Sequence, residues 1–495
     1  MDKQKDSYRT AMKGIAIFGG VQFVLAIINI VRAKFVAILI GTEGMGIAAL
    51  LNSSIGLINQ IASLGVSYSC VRDFARAEVD RDVVRLAKIF VIINRLLWIT
   101  GSIGAILTII FAKQLSLWAF EDENYTWSFV WLSIAVLFTI VAQGMNALLQ
   151  GMRMLKSLAK SSVIGGIVGL LVNVPLYYFY GIDGIVPAII IAAFTTFILA
   201  FYYVRRIETQ PQSVSLKETL VHSCRVVKLG VALVFTGLIS TLVAYLMNIF
   251  LQSTDGKTAV GLYQSGLVLT TQYVGLIFTA MATDYFPRLS MVQEDNAQTN
   301  LLVNQQIQMG QLIITPIAIG LIIFAQLAVY LLLSSDFYPT IPLIQLSLAG
   351  MLFKTASWAI TYIILAKGNT GLYLITEFTY NALWLILNII GYKLWGLAGI
   401  GVAFLMCFFI CVIILLIITH TKYGFFFNKK TVQLFWIQQV LLMIGLFVVF
   451  GIENEYIRYS AGVVLVIISI LYSFWQLDKM LSLWNLIKIK LGRRK

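Results

Sequence analysis

Fourteen long apolar segments, separated by short polar stretches, recur along the whole chain. The hydrocarbon core of a bilayer is about 30 Å thick and takes roughly 20 helical residues per crossing. Each segment is long enough for one crossing, so the pattern predicts an all-α polytopic membrane protein. The predicted helices lie near residues 14–40, 44–70, 89–112, 127–150, 161–180, 185–204, 229–251, 259–285, 306–333, 340–366, 371–392, 397–420, 434–452 and 457–476.

Lys and Arg residues are distributed unevenly between the two sides of the membrane that these fourteen segments are predicted to cross. Of the 36, 28 fall on the side that holds both chain ends, four fall on the opposite side, and four lie within the apolar segments. Short cytoplasmic loops carry the excess of Lys and Arg in membrane proteins, so both termini are predicted to be cytoplasmic. The opposite loops are acidic, as in the run Glu121, Asp122 and Glu123.

The composition agrees with a lipid-facing surface. Apolar residues make up 59% of the chain and charged residues 12%, whereas a soluble domain has about 25% charged residues. The net charge of +14 is spread over the predicted cytoplasmic loops, which favours contact with anionic lipid headgroups over nucleic acid. Cys70, Cys224, Cys407 and Cys411 avoid the predicted outer loops and are expected to be free thiols.

Three predicted cytoplasmic segments have amphipathic patterns. Residues 72–88 and 215–228 predict helices that lie on the membrane surface. Residues 477–495 place apolar side chains on one face and end in basic residues, which is typical of a surface anchor. Within the crossings, Pro175 and Pro316 are expected to interrupt the fifth and ninth helices.

The chain also repeats internally. A shift of 215 residues lays residues 14–204 onto 229–419, with a short outer turn and a helix that begins at Gly in both copies. Two six-helix lobes of the same orientation imply a pseudo-two-fold axis along the membrane normal. The predicted organisation is a cytoplasmic N-terminus at 1–13, an N-lobe at 14–204 (helices 1–6), a cytoplasmic inter-lobe linker at 205–228, a C-lobe at 229–420 (helices 7–12), helices 13–14 within 421–476, and a basic amphipathic cytoplasmic tail at 477–495.

The chain has none of the common signatures of catalysis. The motifs G-x-x-x-x-G-K-[ST], H-E-x-x-H, C-x-x-C and G-x-S-x-G do not occur in it. No cluster of His, Cys and carboxylate residues has the spacing of metal ligands. We therefore expect a protein that is not an enzyme and binds no cofactor or metal.

Charged residues inside the apolar segments are the main functional signal. Placing a cation at the centre of the bilayer costs about 2.5–3.5 kcal/mol of free energy even on the insertion scale that gives the lowest values. Each such residue is therefore expected to have a structural or functional role. The candidates for lining a cavity that receives an anionic ligand are Arg32, Lys34, Arg95 and Lys354. Glu377 and Asp284 are the carboxylate candidates, either for ion coupling or for an ion pair. Lys354 and Glu377 lie on consecutive helices at depths about 9 Å apart, so a structural pair between them remains an alternative.

Side-chain amides accompany these charges at membrane depth. Amides can hydrogen-bond to sugar hydroxyls, but they also join transmembrane helices at around 0.6 kcal/mol each. The candidates for sugar contacts are Asn29, Asn59, Gln60, Gln264 and Gln272. A cationic and amide-rich interior suits an anionic ligand that carries sugars.

Several short motifs resemble a known superfamily. The turn from Gly41 to Gly46 resembles that of the multidrug/oligosaccharidyl-lipid/polysaccharide exporters. The segment from Val260 to Gly266, followed by Phe286-Pro287-Arg288-Leu289-Ser290 and Thr376-Glu377-Phe378, is similar to the lipid-linked O-antigen and polysaccharide flippases, in particular to the enterobacterial common antigen translocases. The resemblance covers roughly residues 10–420.

This resemblance implies a transporter of two lobes in the bacterial inner membrane. It would move an undecaprenyl-pyrophosphate-linked oligosaccharide, an O-antigen or capsule repeat unit, to the outer leaflet, with membrane lipids and a polysaccharide polymerase as further partners. Lys354 and Glu377 match a Lys and a Glu of the translocases, and Arg32 has the register of a cavity Arg in related lipid II flippases. The alternatives are a cation-coupled multidrug exporter, disfavoured because residues 14–40 lack a carboxylate, and a non-transporting scaffold for polysaccharide assembly.

Overall fold

Every regular element is helical in the part of the chain that the computed structural model describes, which is residues 2–67, 70–71, 74, 83–152, 154–207 and 214–481. In chain order the α-helices are α1 (Asp2–Ala62), α2 (Val83–Ile110), α3 (Ala112–Phe120), α4 (Thr126–Gly151), α5 (Leu155–Tyr180), α6 (Ile185–Arg205), α7 (Leu216–Leu267), α8 (Val274–Met291), α9 (Asn296–Ile323), α10 (Ala325–Leu332), α11 (Ile341–Ala349), α12 (Met351–Ala366), α13 (Thr370–Tyr423), α14 (Lys429–Gly451) and α15 (Glu455–Leu481). Short 3-10 helices occupy Glu123–Tyr125, Gly181–Gly184 and Ser335–Thr340, and a π-helix occupies Val268–Tyr273.

The helices account for fourteen membrane crossings. Among the described residues, ten spans are long and apolar enough to cross a membrane when the bent pair of α11 and α12 counts as one. Four of these spans have 38 to 54 residues, about twice what a single crossing requires. They are Val24–Ala62, Lys156–Arg205, Val234–Thr271 and Thr370–Tyr423. Each contains a glycine of positive φ near its middle and therefore crosses twice, which confirms the predicted all-α polytopic fold.

These breaks recur at the interval that the sequence repeat predicts. Gly41 has φ 63° and ψ −166°, and Gly256, which lies 215 residues later, has φ 78° and ψ −171°. Gly181 and Gly396 form a second pair at the same interval, with φ 53° and 59°. Side chains with a Cβ rarely adopt this conformation, so glycine at both members of each pair permits the same turn in each half. The backbone thus supports the internal repeat.

The chain forms two compact units. The first comprises Met1–Gln264 with Leu332–Ser334, and the second comprises Ser265–Leu331 with Ser335–Lys495. The first unit contains α1 to α6 and most of α7, and the second contains α8, α9, most of α10 and α11 to α15. The lobe boundary at the 205–228 linker is a statement about symmetry and stays a prediction.

Each unit has its own apolar core. In the first unit, Ile93, Leu97 and Leu149 are buried at the packing of α2 against α4. In the second unit, Tyr285 is buried at α8, and its hydroxyl donates a hydrogen bond to the Ala359 carbonyl of α12 at 2.8 Å. The core of the second unit therefore ties together the helices that carry the cavity described below.

Polar side chains attach α14 to α9 within the second unit. The Asn304 amide donates to the Phe426 carbonyl, and its oxygen accepts from the Asn428 main-chain N–H, both at 3.0 Å. The Gln308 amide donates to the Thr431 hydroxyl at 2.7 Å. Because these groups are buried, each would lose free energy if it were unpaired. The helix α14, which is the thirteenth predicted crossing, is thus an integral part of the second unit.

The prediction that two prolines interrupt their helices is wrong. Pro175 and Pro316 lie inside the continuous helices α5 and α9, since membrane helices can satisfy the backbone group that a proline frees. The predicted surface helix at 215–228 and the first part of the seventh crossing form one helix, since α7 runs unbroken from Leu216 to the turn at Gly256. The tenth crossing is not one straight helix: its two parts bend by 51° at Gly350.

Two predicted surface segments lie mostly or partly outside the described residues. The segment 72–88 is described at Phe74 and from Val83, where α2 begins, and the tail only as far as Leu481, the last residue of α15.

Candidate functional site

A cavity of about 300 Å³ lies within the second unit, between α12 and the two halves of α13. Its wall contains two of the three charged residues of this unit that the sequence singled out, Lys354 and Glu377. Aromatic and hydroxyl side chains complete most of the wall. Concave sites with a few polar groups on a mainly apolar surface are where small ligands bind in proteins.

Lys354 is partly buried and faces three aromatic rings. Its ammonium lies 5.7 Å from the ring centre of Phe278, 5.5 Å from that of Phe404 and 5.6 Å from that of Phe408. The last two are four residues apart on α13 and therefore share one helix face. Cation–π contacts of this kind stabilise an ammonium by about 0.5–2 kcal/mol each, so the rings give part of the reason for a cation at this depth.

The rings do not satisfy the hydrogen-bond donors of Lys354. Within the part of the chain that the structure describes, the ammonium makes no ion pair, and its side chain donates no hydrogen bond to a protein acceptor. An ammonium carries three N–H donors. Lys354 therefore presents a positive charge with free donors to a cavity.

Glu377 lies on the same cavity wall but is not an ion-pair partner of Lys354 in the described structure. Its carboxylate accepts a hydrogen bond from the Tyr373 hydroxyl, one turn earlier on α13. The sequence interpretation needed helix tilt to bring Lys354 and Glu377 together. The structure instead leaves a cation and an anion at separate points of one cavity.

The remaining cation candidates have different surroundings. In the first unit, the Arg95 guanidinium donates to the Val214 carbonyl at 3.0 Å and to the Thr219 hydroxyl at 3.1 Å. These bonds connect α2 to Val214, just before α7, and to the first turn of α7, both within the 205–228 linker. Lys34 donates to the Leu333 carbonyl at 2.5 Å. Arg32 is exposed on α1.

The amide side chains proposed for sugar contacts also differ in their surroundings. Gln264 donates to the Asn248 side-chain oxygen at 2.8 Å, a contact between helices that matches the structural alternative. Asn59 is buried, and its side-chain oxygen has no partner among the described residues. Asn29 is exposed and Gln60 is half-buried, while the side chain of Gln272 lies outside the described part.

Asp284 is an exposed residue of α8. Its carboxylate forms an ion pair with Arg288 on the next helical turn, at 3.0 Å. Such surface pairs contribute about 0–1 kcal/mol. Glu377 is consequently the one carboxylate candidate of the two that faces the cavity.

The aromatic and hydroxyl residues of the cavity wall were not predicted from the sequence. Trp358, Tyr362, Tyr380 and Thr361 line the cavity with Lys354. Lys354, Trp358 and Thr361 follow one another at intervals of four and three residues, which places them on one face of α12. This spacing predicts a shared helix face. The sequence does not show whether aromatic residues on such a face point to a cavity or to lipid.

Comparison with known proteins identifies a family model that matches the chain and solved structures that share its fold. A family model described as polysaccharide biosynthesis protein matches residues 11–342. A search of curated proteins found no significant match. The structure resembles lipid II flippase MurJ in an inward closed conformation, with a TM-score of 0.71 and 15% identity over 94% of this chain and 99% of that chain.

Two further solved structures share the fold. One is an inward-facing multidrug resistance MATE family transporter of the MOP superfamily, with a TM-score of 0.65 and 15% identity, covering 81% of this chain and 94% of that chain. The other is a MOP superfamily transporter from Pyrococcus furiosus, with a TM-score of 0.60 and 13% identity, covering 84% and 96%. At these identities the likeness establishes the fold and leaves the cargo open.

Proposed function

We propose that this chain, which belongs to the polysaccharide biosynthesis protein family, is a flippase for an undecaprenyl-pyrophosphate-linked oligosaccharide. It would carry an O-antigen or capsule repeat unit from the inner to the outer leaflet of a bacterial inner membrane by alternating access. The observation that carries the proposal is the unpaired Lys354 ammonium in the cavity of the second unit.

The cargo explains why such a cation would be kept at membrane depth. A pyrophosphate cannot cross hydrocarbon without compensation of its charge, while the polyprenyl tail can remain in lipid. Lys354 offers free N–H donors to one phosphate group, and charge-assisted hydrogen bonds are the stronger kind. We propose Lys354 and Arg32 as contacts for the anionic group, in the second and first units respectively. Lys34 and Arg95 already donate to protein acceptors, which makes them weaker candidates.

Amides on the first unit are proposed contacts for the sugars. Asn59 has a buried side-chain oxygen without a described partner, and Asn29 and Gln60 lie on the same helix, α1. Gln264 is already paired to Asn248 and is the weakest of the set.

The energy supply is proposed to be an ion gradient or the concentration difference of the cargo. No nucleotide-binding motif is present in the sequence. Glu377 is the proposed carrier of a proton or sodium ion, since it is the carboxylate on the cavity wall. A Glu377→Gln variant that keeps its full dependence on an imposed gradient would show that coupling lies elsewhere.

The test is transport by the full chain in proteoliposomes. A polyprenyl-pyrophosphate-linked glycan is added, and its exposure at each leaflet is followed with and without a proton or sodium gradient. We expect Lys354→Ala to reduce the rate at least tenfold. The matched control is Lys113→Ala, because Lys113 is an exposed lysine paired with Glu123 at 3.0 Å; this variant should transport normally.

Other outcomes favour the alternatives. Export of an organic cation such as ethidium, without movement of the glycan, would support a multidrug exporter. Movement of neither compound by a correctly folded protein would support a scaffold and would refute the flippase proposal.

A further inference from the structure

We infer that the cavity of the second unit binds a sugar ring, the one attached directly to the pyrophosphate of the cargo. This inference rests on the proposed flippase function and adds the site of sugar recognition to it. The observations are the chemistry of the cavity wall and the balance of its two charges.

Three features of the wall match a pyranose. A sugar ring presents C–H groups on its faces and hydroxyl groups around its edge. Trp358 and Tyr380 offer aromatic surfaces for the faces, and both are partly exposed on the cavity wall. Thr361 and Thr376 offer hydroxyl oxygens that can accept hydrogen bonds at the edge, since their own hydrogens are donated to the main-chain carbonyls of Ser357 and Tyr373. An aromatic surface bordered by small polar groups is poorly suited to a polyprenyl chain, since the polar groups would lose water without gaining partners.

Trp358 is held in position by other rings. Its ring centre lies 5.2 Å from that of Tyr362 in a T-shaped arrangement, 5.4 Å from Phe278 and 5.6 Å from Tyr285. Aromatic pairs of this geometry stabilise one orientation of the ring beyond their burial. A fixed ring loses little conformational freedom when a ligand stacks on it.

The two charges restrict which ligand fits. Glu377 repels a pyrophosphate placed in the middle of the cavity, and Lys354 repels a cationic drug placed against the aromatic rings. A sugar linked to phosphate avoids both conflicts. Its phosphate lies towards Lys354, and its neutral ring lies between Lys354 and Glu377, whose carboxylate accepts hydrogen bonds from two hydroxyls.

The dimensions are compatible with this arrangement. Lys354 and Thr361 are seven residues apart on α12, about 10 Å along the axis at 1.5 Å per residue. That distance accommodates a phosphate and one sugar ring in sequence. The remaining sugars of the oligosaccharide would lie outside the 300 Å³ of this cavity.

The inference is tested by a ratio of affinities measured on the full chain. Native mass spectrometry in detergent gives the Kd of undecaprenyl pyrophosphate and of undecaprenyl pyrophosphate linked to glucose, galactose or N-acetylglucosamine. We expect at least one sugar to tighten binding tenfold or more relative to the sugar-free lipid. A ratio below three for all three sugars overturns the inference.

Variants locate the effect in the cavity. Trp358→Leu should bring the ratio to about one and leave the Kd of the sugar-free lipid unchanged, whereas Trp358→Phe should keep most of the ratio. Glu377→Gln should lower the ratio several-fold. The matched control is Trp436→Leu, because Trp436 is exposed on α14 and should not affect either Kd. An equal loss of affinity for both lipids in Trp358→Leu would indicate a structural role and would overturn the inference.

Failure of the inference and failure of the proposed function give different results. Glycan transport in proteoliposomes with a ratio near one leaves the flippase standing and places sugar recognition elsewhere. A high ratio without transport retains the sugar site in a protein that binds but does not move the lipid.

Discussion

The packing of two turns of the first unit, at residues 41–46 and 256–261, predicts a large effect from one methyl group. Gly46 of α1 packs against the main chain of Lys257 in α7, and Gly261 packs against that of Thr42. Gly46 and Gly261 are 215 residues apart and so occupy equivalent positions in the two repeats. The Glu43 carboxylate and the Lys257 ammonium, 3.5 Å apart, bridge the same turns.

The perturbation is Gly46→Ala. The added carbon would lie 2.7 Å from the carbonyl carbon of Lys257, and closer still to its oxygen. Carbon atoms prefer separations of about 3.5–4.0 Å, so the two backbones must separate by roughly 1 Å. Because the obstacle is main chain rather than a flexible side chain, the helices themselves must shift. Overpacking of this kind costs about 1–3 kcal/mol.

The assay is the apparent melting temperature of the full chain in detergent, at one scan rate. Gly56→Ala is the matched control, because Gly56 is in the same helix and a Cβ there would meet nothing within 4 Å. That substitution should stabilise the helix by about 0.5–1 kcal/mol. Gly46→Ala should therefore melt several degrees lower than Gly56→Ala.

The double variant provides a second check. Once Gly46→Ala has separated the turns, Gly261→Ala should cost much less than it does alone, since both methyls need the same space. Melting of Gly46→Ala at or above the temperature of Gly56→Ala would refute the packing argument. Simple additivity of the two losses would also contradict it.

Three further predictions concern the polar contacts. Asn304→Ala should destabilise the second unit by about 1–3 kcal/mol, because it leaves two partly buried main-chain groups without their partner. Exposed Gln305→Ala is the control, expected within about 0.5 kcal/mol, and equal melting temperatures would contradict the contact. Arg95→Leu should make trypsin cleave the 205–228 linker several-fold faster, because the linker loses its two hydrogen bonds from Arg95, at Val214 and Thr219. An unchanged digestion rate would argue against this role. Lys354→Ala and Glu377→Ala should have nearly additive effects on melting temperature, since no ion pair joins them; a coupling of about 3 kcal/mol or more would show a buried pair.

The sequence alone was sufficient for the number and position of the crossings. A bilayer requires about 20 apolar residues for each helix, and this requirement is local, so it can be read segment by segment. The turns at Gly41 and Gly256 could be anticipated from the repeat, because glycine is the residue that adopts a positive φ most readily. The orientation of the termini rests on the charge asymmetry and stays a prediction.

The positions at which helices are irregular could not be predicted from the local sequence. Pro316 was expected to interrupt its helix and does not, whereas the backbone changes at Val268–Tyr273 and at Gly350 carry no proline. Whether a freed backbone group is tolerated depends on what neighbouring helices offer it, and that is a property of the packing.

In the candidate site, too, the sequence determined some properties and the packing of the helices determined others. Burying a charge is costly wherever it sits in the membrane, so the sequence could identify Lys354, Arg95 and Glu377 as residues that need a partner. Only the tertiary structure decided what each partner is: three aromatic rings for Lys354 and a linker carbonyl and hydroxyl for Arg95. Aromatic side chains that face lipid and those that face a cavity are equally apolar in sequence. Their difference arises when α12 and α13 pack together and enclose one set while leaving the other exposed.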